Sequence, residues 1–272
     1  MLAALRRIGA HPRLEPHVAR GLRARLTTTP VRFYLRDAEG RGRYRYVVRE
    51  TGDRVLLEHG TSDVPTLDQA FHQRVYEPPP EVARRLAELD RGVRALDLGA
   101  NIGLFGVWLA GRVPLDHVVA VEPVERNVAV LRENLAVALP CGSYTVVAEA
   151  AGVAEGPLSF GGGDAFTTGR VAPGAGAGSV IVPGRDTFAL LDWIDLVKLD
   201  IEGGEWAILQ DPRFVEVSAP VVMLEHHPAG APGDAAVAAE RLLAAAGYEV
   251  ERTLDEGDGT GIVWGVRRAA GA

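Results

Sequence analysis

Residues 93–103 read V-R-A-L-D-L-G-A-N-I-G, a short apolar run that closes on an acid and opens onto a glycine turn. Val93, Ala95 and Leu96 suit a strand buried on both faces, as in a parallel sheet. Past Gly103, L-F-G-V-W-L-A sets Leu104, Val107 and Trp108 on one helical face at i, i+3 and i+4. Strand, glycine turn and helix form the first unit of a doubly wound α/β sheet, whose ligands lie at the carboxyl ends of the strands.

The turn also limits the ligand. A dinucleotide site needs G-x-G-x-x-G so that backbone N–H groups approach a pyrophosphate. Here Ala100 and Asn101 stand between Gly99 and Gly103, and Asp97 precedes them. A carboxylate there repels phosphate and suits an ammonium group, which S-adenosylmethionine carries without any phosphate. The alternative is that Asp97 only caps the turn. The second strand, Val118 to Pro123, ends in Glu122, 25 positions after Asp97. That is close to the roughly 20-residue spacing of a ribose-binding acid. A carboxylate can accept from both vicinal hydroxyls, although Glu122 could instead cap the helix predicted over 124–139. Strand three, 144–148, delivers Glu149 and Ala150 to the place of an adenine ring.

The remaining pattern supports one sheet. Helices are predicted within 1–26, with Leu2, Leu5 and Ile8 on one face and breaks at Pro12 and Pro16. V-R-F-Y-L-R from Val31, R-Y-R-Y-V-V-R-E and R-V-L-L-E alternate with period two and predict an antiparallel meander. Helices follow over 63–76 and 82–89. Residues 161–186 are rich in Gly, Ala and Pro, a lid or a tolerated insertion, with an edge hairpin from 158–160 and 180–182. Strands four (194–201) and five (221–224) flank the helix opened by E-G-G-E-W-A-I-L. A helix over 233–246 and closing strands at 248–253 and 261–267 complete the alternation.

Of 29 basic residues, 28 are Arg and one is Lys198. A lone lysine inside an apolar strand supplies a compact ammonium that arginine cannot replace. Lys198 and Asp200 share one strand face, and His226, just past strand five, is a candidate base. In one reading His226 takes the acceptor's proton while Asp200 and Glu225 hold the acceptor. In the other, Asp200 and Glu225, with His226, ligate a divalent metal that lowers the hydroxyl pKa; direct base catalysis is preferred. His227 reads as a surface turn residue.

Charge and composition exclude several classes. The net charge of −7 argues against nucleic acid, although residues 1–50 hold 12 Arg against 4 acids. That Arg-rich stretch is read as a solvated face rather than a docking site for an acidic partner. No apolar run reaches the roughly 18 residues of a membrane span. The single Cys141 and the short apolar start fit a cytoplasmic chain with no secretory leader.

Together, Y-E-P-P at Tyr76, D-L-G-A-N-I-G, V-E-P, D-T-F-A-L-L, K-L-D-I-E-G-G-E-W-A-I-L and the E-H ending strand five resemble the FkbM-type family of class I S-adenosylmethionine-dependent methyltransferases, over 76–266. The resemblance implies a doubly wound, mostly parallel seven-stranded Rossmann-like sheet over 76–272; residues 1–75, read as an N-terminal α+β extension, and 161–186 depart from the family pattern and are expected to shape the acceptor side. It implies cofactor contacts at Asp97, Gly99, Asn101, Gly103 and Glu122, with Glu149 and Ala150 near adenine. Lys198, Asp200, Glu202, Gly203 and Glu205 would border the transferred methyl, and Tyr76, Glu202 and Glu225 would meet the acceptor. The paired carboxylates at Asp200 and Glu225 also resemble metal-dependent catechol-type enzymes. The expected activity is O-methylation of a sugar, polyketide or other secondary metabolite. N-methylation, an NAD-dependent oxidoreductase, a non-catalytic binding protein and a homo-oligomeric assembly stay open.

Overall fold

The computed structural model describes residues 15–160 and 180–267. The chain divides into two compact units, Met1–Val75 and Tyr76–Ala272. The helix readings before residue 15 and the lid reading over 161–179 lie outside the described residues.

In the first unit, helices α1 (Glu15–Ala24) and α2 (Pro30–Glu39) precede the hairpin β1 (Arg43–Val47) and β2 (Arg54–Glu58), and α3 (Asp63–Asp68) continues into a π-turn over Gln69–Gln73. The sequence reading made Val31–Arg36 a strand, and the structure corrects this to α2. Pro30 sits at the helix start and Gly40 ends it in a left-handed conformation. Pro at the first turn and Gly just past the last are helix start and stop signals, and they outweigh the period-two pattern between them. Only Phe33 of this helix is buried. The third pairing of the meander falls instead on 26–28, where Thr28 N donates to Val47 O (2.9 Å) and Arg49 N to Leu26 O (2.7 Å). Phe33 packs on the rings of Tyr46 and His59, and His59 in turn shares a 2.7 Å hydrogen bond with the Tyr46 hydroxyl.

The second unit is built on a seven-stranded sheet. Helix α4 (Pro80–Ala87) leads into β3 (Val93–Leu98), α5 (Leu104–Ala110), β4 (Leu115–Val121), α6 (Glu125–Ala138) and β5 (Tyr144–Val147). A small sheet of β6 (Ala150–Gly152), β7 (Gly156–Phe160) and β8 (Val180–Asp186) follows, with β7 and β8 antiparallel and β6 parallel to β8. The chain then returns as β9 (Leu196–Leu199), α7 (Glu205–Gln210), β10 (Val221–His226), α8 (Ala235–Ala245), β11 (Tyr248–Asp255) and β12 (Gly261–Arg267).

The main sheet runs β11-β12-β10-β9-β3-β4-β5. All its adjacent pairs are parallel except the two made by β12. From β3 the chain winds outward through β4 and β5, then crosses back to the other side of β3 at β9. That reversal makes β3/β9 the topological switch point, where open α/β sheets bind ligands. One sheet face, with Leu96, Leu98, Val197, Leu199, Val222 and Leu224, packs under α7 and α8. Alternation sends Asp97, Lys198 and Met223 to the other face. No helix of the described residues is long and apolar enough to cross a membrane.

Candidate active site

The loop after β3 is a chain of left-handed residues: Gly99 at φ +79, Asn101 at +48 and Gly103 at +82. Asparagine tolerates this region better than other side chains. A Cβ on Gly99 would lie 1.8 Å from the Asp200 carbonyl oxygen, and one on Gly103 2.6 Å from Leu131 Cδ1. The glycines therefore let the loop press against the end of β9 and against α6. Gly99 N and Ala100 N both donate to Val121 O at 3.0 Å. Buried Asn134, which the sequence reading did not single out, donates to Ile102 O at 2.7 Å.

Glu122 ties this loop to the end of β4. Its Oε2 accepts from Asn101 N (2.9 Å), and its Oε1 accepts from Val124 N (3.0 Å) and Asn127 Nδ2 (3.2 Å). Burial pushes the Glu122 carboxyl up to about 6, with these donors pulling the other way. Two acceptor positions on each oxygen leave one open on Oε2. Glu122 thus caps the turn into α6, with one acceptor position on Oε2 not taken by these donors. Asn101 Oδ1 is buried without a hydrogen-bond partner. Glu149 is held by Arg185, whose Nε donates to its Oε2 at 2.7 Å, and Ala150 is buried at the start of β6.

At the switch point the register pairs Asp97 with Lys198, and Lys198 with Met223. The Lys198 side chain is 2% exposed. Its Nζ lies 3.2 Å from Asp97 Oδ1 and donates to Asp200 Oδ2 (3.0 Å) and to Gly99 O (3.4 Å). Burial works against the ammonium, but Asp200 and Asp97 more than offset it and hold its pKa well above the usual lysine range. Burial pushes the Asp97 carboxyl up, against the pull of Lys198. Phe105 lies 5.9 Å from the ammonium. Tyr76 packs edge-on against Phe105 and Trp108, and burial drives its hydroxyl pKa far up.

Strand parity decides which of the remaining candidates join this group. Glu225 shares the face of Met223 and so meets Asp200 and Lys198; burial first, then Asp200, push its carboxyl up to about 8. His226 points the other way. Its Nδ1 donates to Gly259 O (3.1 Å), its Nε2 is buried without a partner, and burial lowers its pKa. The grouping of His226 with Lys198 and Asp200 is thereby corrected, because neighbours on a strand face opposite sides. The next residue, His227, comes back to the active face and is buried rather than a surface turn residue.

Glu205, the first residue of α7, fixes that imidazole. Its Oε1 accepts from His227 N (2.9 Å) and His227 Nδ1 (3.1 Å), and its Oε2 accepts from Gly203 N (2.7 Å). Burial opposes charge on His227, yet Glu205 and its acidic neighbours raise it to about 9. Its Nε2 faces Glu202 Oε2 at 3.6 Å and Glu225 Oε1 at 4.0 Å. Trp206 Nε1 donates to His227 O at 3.0 Å. Among the described residues the set with metal-ligating geometry is Asp200, Glu202 and His227, not the Asp200, Glu225 and His226 of the metal alternative weighed against base catalysis in the sequence. The missed signal was parity: 198 and 200 share a face, as do 223, 225 and 227.

A doubly wound sheet with β12 reversed, and with acids gathered at its switch point, defines a Rossmann-like methyltransferase domain. The family model for the methyltransferase FkbM domain matches residues 97–250. That is more than half of the chain, which belongs to this family. None of the curated proteins compared with the chain matches it. Similar solved structures include a methyltransferase FkbM from Methylobacillus flagellatus KT, at 17% identity and TM-score 0.47 over 75% of this chain. The match spans about half of that chain, 53%. Magnesium protoporphyrin IX methyltransferase from Synechocystis PCC 6803, with bound SAM, matches at 16% identity and TM-score 0.45, over 75% of this chain and 83% of its own. Precorrin-6y C5,15-methyltransferase from Geobacter metallireducens GS-15 matches at 16% identity and TM-score 0.42, over 69% and 86%.

Proposed function

We propose that this chain uses S-adenosylmethionine to methylate a hydroxyl oxygen on a small molecule of the sugar or polyketide kind. The observation that carries the reading is Lys198, the sole lysine, sealed between Asp97 at the glycine turn and Asp200 at the end of β9. It holds two carboxylates in place at the switch point, and those acids disfavour a phosphate-bearing ligand. The residues around them fit the cofactor: Glu122 keeps one acceptor position for a ribose hydroxyl, and Asn101 brings a buried, unpartnered oxygen.

When bound, the sulfonium supplies an electrophilic methyl carbon. Asp97 and the 99–103 loop orient the cofactor, and Lys198 keeps Asp97 and Asp200 apart and fixed. Asp200 and Glu225 stand on the shared face to receive the acceptor's O–H. One of them would take that proton as the methyl is transferred, the electron pair of the carbon–sulfur bond leaving with sulfur. Alignment of this kind can supply on the order of 7–11 kcal/mol. A positioned base adds roughly 10²–10⁴-fold.

Titration calorimetry tests the cofactor assignment. S-adenosylhomocysteine is expected to bind and NAD is not; the reverse pattern would sink the reading. Glu122→Ala should weaken S-adenosylhomocysteine binding by about 1.5–3 kcal/mol. Because the ionised carboxylate is the better acceptor and its pKa is raised to about 6, wild-type affinity should fall as pH drops below 6. An affinity independent of pH between 5 and 7 would remove Glu122 from the ribose contact.

Selection of the acceptor is assigned to the N-terminal unit, which lies outside the matched residues 97–250. Deleting residues 1–26 should raise the acceptor KM and leave S-adenosylhomocysteine affinity unchanged. An unchanged acceptor KM would place selection elsewhere. Methylated product analysed by NMR decides oxygen against nitrogen.

A further inference from the structure

We propose that Asp200, Glu202 and His227 bind one divalent cation of the manganese type at the carboxyl end of β9. One candidate ligand atom from each of the three lies within 4.8 Å of the others. Ligand atoms ~2.1 Å from an ion, in adjacent positions, stand about 3 Å apart. The three therefore need to close by no more than a side-chain adjustment.

The imidazole separates this group from an ordinary acidic cluster. The His227 side chain is 8% exposed, and its Nδ1 is committed to Glu205 Oε1 at 3.1 Å. Glu205 itself is fully buried, with its other oxygen held by Gly203 N. A buried carboxylate on one ring nitrogen is the arrangement that orients a metal-ligating histidine through the other. That other nitrogen, Nε2, is aimed into the carboxylates, yet Glu202 at 3.6 Å and Glu225 at 4.0 Å are beyond hydrogen-bond distance. It faces acids on two sides with a hydrogen bond to neither.

Charge points the same way. Asp97, Asp200, Glu202, Glu205 and Glu225 gather around Lys198 and His227. Lys198 holds Asp200 through Oδ2, which leaves Asp200's other oxygen for an ion. Two carboxylates with one imidazole suit manganese, which accepts oxygen ligands alongside a nitrogen. The set differs from the pair Asp200 and Glu225 of the metal alternative read from the sequence, since it takes in Glu202 from the turn and His227 from beyond β10.

What the ion would do rests on the methyltransferase reading: it would polarise the acceptor hydroxyl beside Asp200. Its binding does not rest on that reading, and the experiment separates the two. The full chain is stripped with EDTA, dialysed and titrated with Mn²⁺, with free ion followed by electron paramagnetic resonance and S-adenosylhomocysteine binding measured on the same sample. One Mn²⁺ per chain is expected. Its affinity should fall at least tenfold in Glu202→Gln and in Asp200→Asn, and 10- to 100-fold in Glu205→Gln through loss of the oriented imidazole. Circular dichroism checks that each variant is folded, and the part-exposed Glu202 is the substitution least able to disturb the core. Absence of Mn²⁺ binding at millimolar ion, or equal binding by wild type and Glu202→Gln, overturns the proposal. If S-adenosylhomocysteine binds normally in that case, the methyltransferase reading stands without the ion. Mn²⁺ binding with no S-adenosylhomocysteine binding would uphold the ion and remove the reading.

Discussion

Lys198→Ala is expected to destabilise the fold by about 3–5 kcal/mol, the usual cost of removing one partner from a buried ion pair. The side chain is sealed, and its ammonium faces Asp97 at 3.2 Å and Asp200 at 3.0 Å. Without it, the buried Asp97 keeps its charge in a low dielectric or gives it up by binding a proton. Chemical denaturation at pH 7 measures the loss directly. Lys198→Arg is the sharper test, because it keeps the charge. The ammonium donates to Asp200 and the Gly99 carbonyl and pairs with Asp97 at 3.2 Å. A planar guanidinium needs more room and a different fan of acceptors. Turnover should drop on the order of a hundredfold through displacement of Asp200, while S-adenosylhomocysteine still binds. Wild-type turnover in Lys198→Arg would show the lone lysine to be an accident of composition.

Gly99→Ala should be at least as costly, on the order of 4 kcal/mol, from a left-handed backbone forced on a side chain plus overpacking. The added methyl would sit 1.8 Å from the Asp200 carbonyl oxygen. That atom belongs to backbone at the end of β9, so it cannot swing aside as a side chain would. Either the 99–103 loop lifts off β9 or the β3–β9 pairing opens. Both outcomes separate Asp97 from Lys198, so S-adenosylhomocysteine binding should be lost along with stability. Thermal unfolding and calorimetry on the purified variant check the pair of effects. A variant of normal melting temperature that binds normally would mean the loop has slack the packing does not show.

Much of the second unit was legible because its signals are local. Apolar runs closing on Asp97, Glu122 and Glu225, with glycine turns or amphipathic stretches after them, read as strands and helices in their correct order. The β7–β8 pairing and the closing hairpin of β11 and β12 followed from alternation and turn residues. The first unit was harder. V-R-F-Y-L-R alternates like a strand, and only packing around Phe33 and the end signals at Pro30 and Gly40 make it helical. Period alone does not choose when a segment is ten residues long and mostly exposed.

The site divides along a similar line. That Lys198 and Asp200 share a face depends on neighbours within one strand, so the sequence determined it. The same parity rule assigns Glu225 and His227 together and His226 apart, but it requires knowing that β10 stays extended through His226, which the backbone pairing with β12 settles. Composition alone marked Lys198 as unusual. Its partner across the sheet, Asp97, is 101 positions away, and only the return of the chain to β3 after the two outward strands β4 and β5 brings the two into register. Glu205 and His227 are 22 apart and meet because α7 begins under the end of β10. Short-range periodicity is written in the order of residues, whereas register between strands comes from the packing of the whole sheet. The elements of the second unit, and the shared face of Lys198 and Asp200, were therefore determined by the sequence. Which charges touch was decided by the tertiary structure.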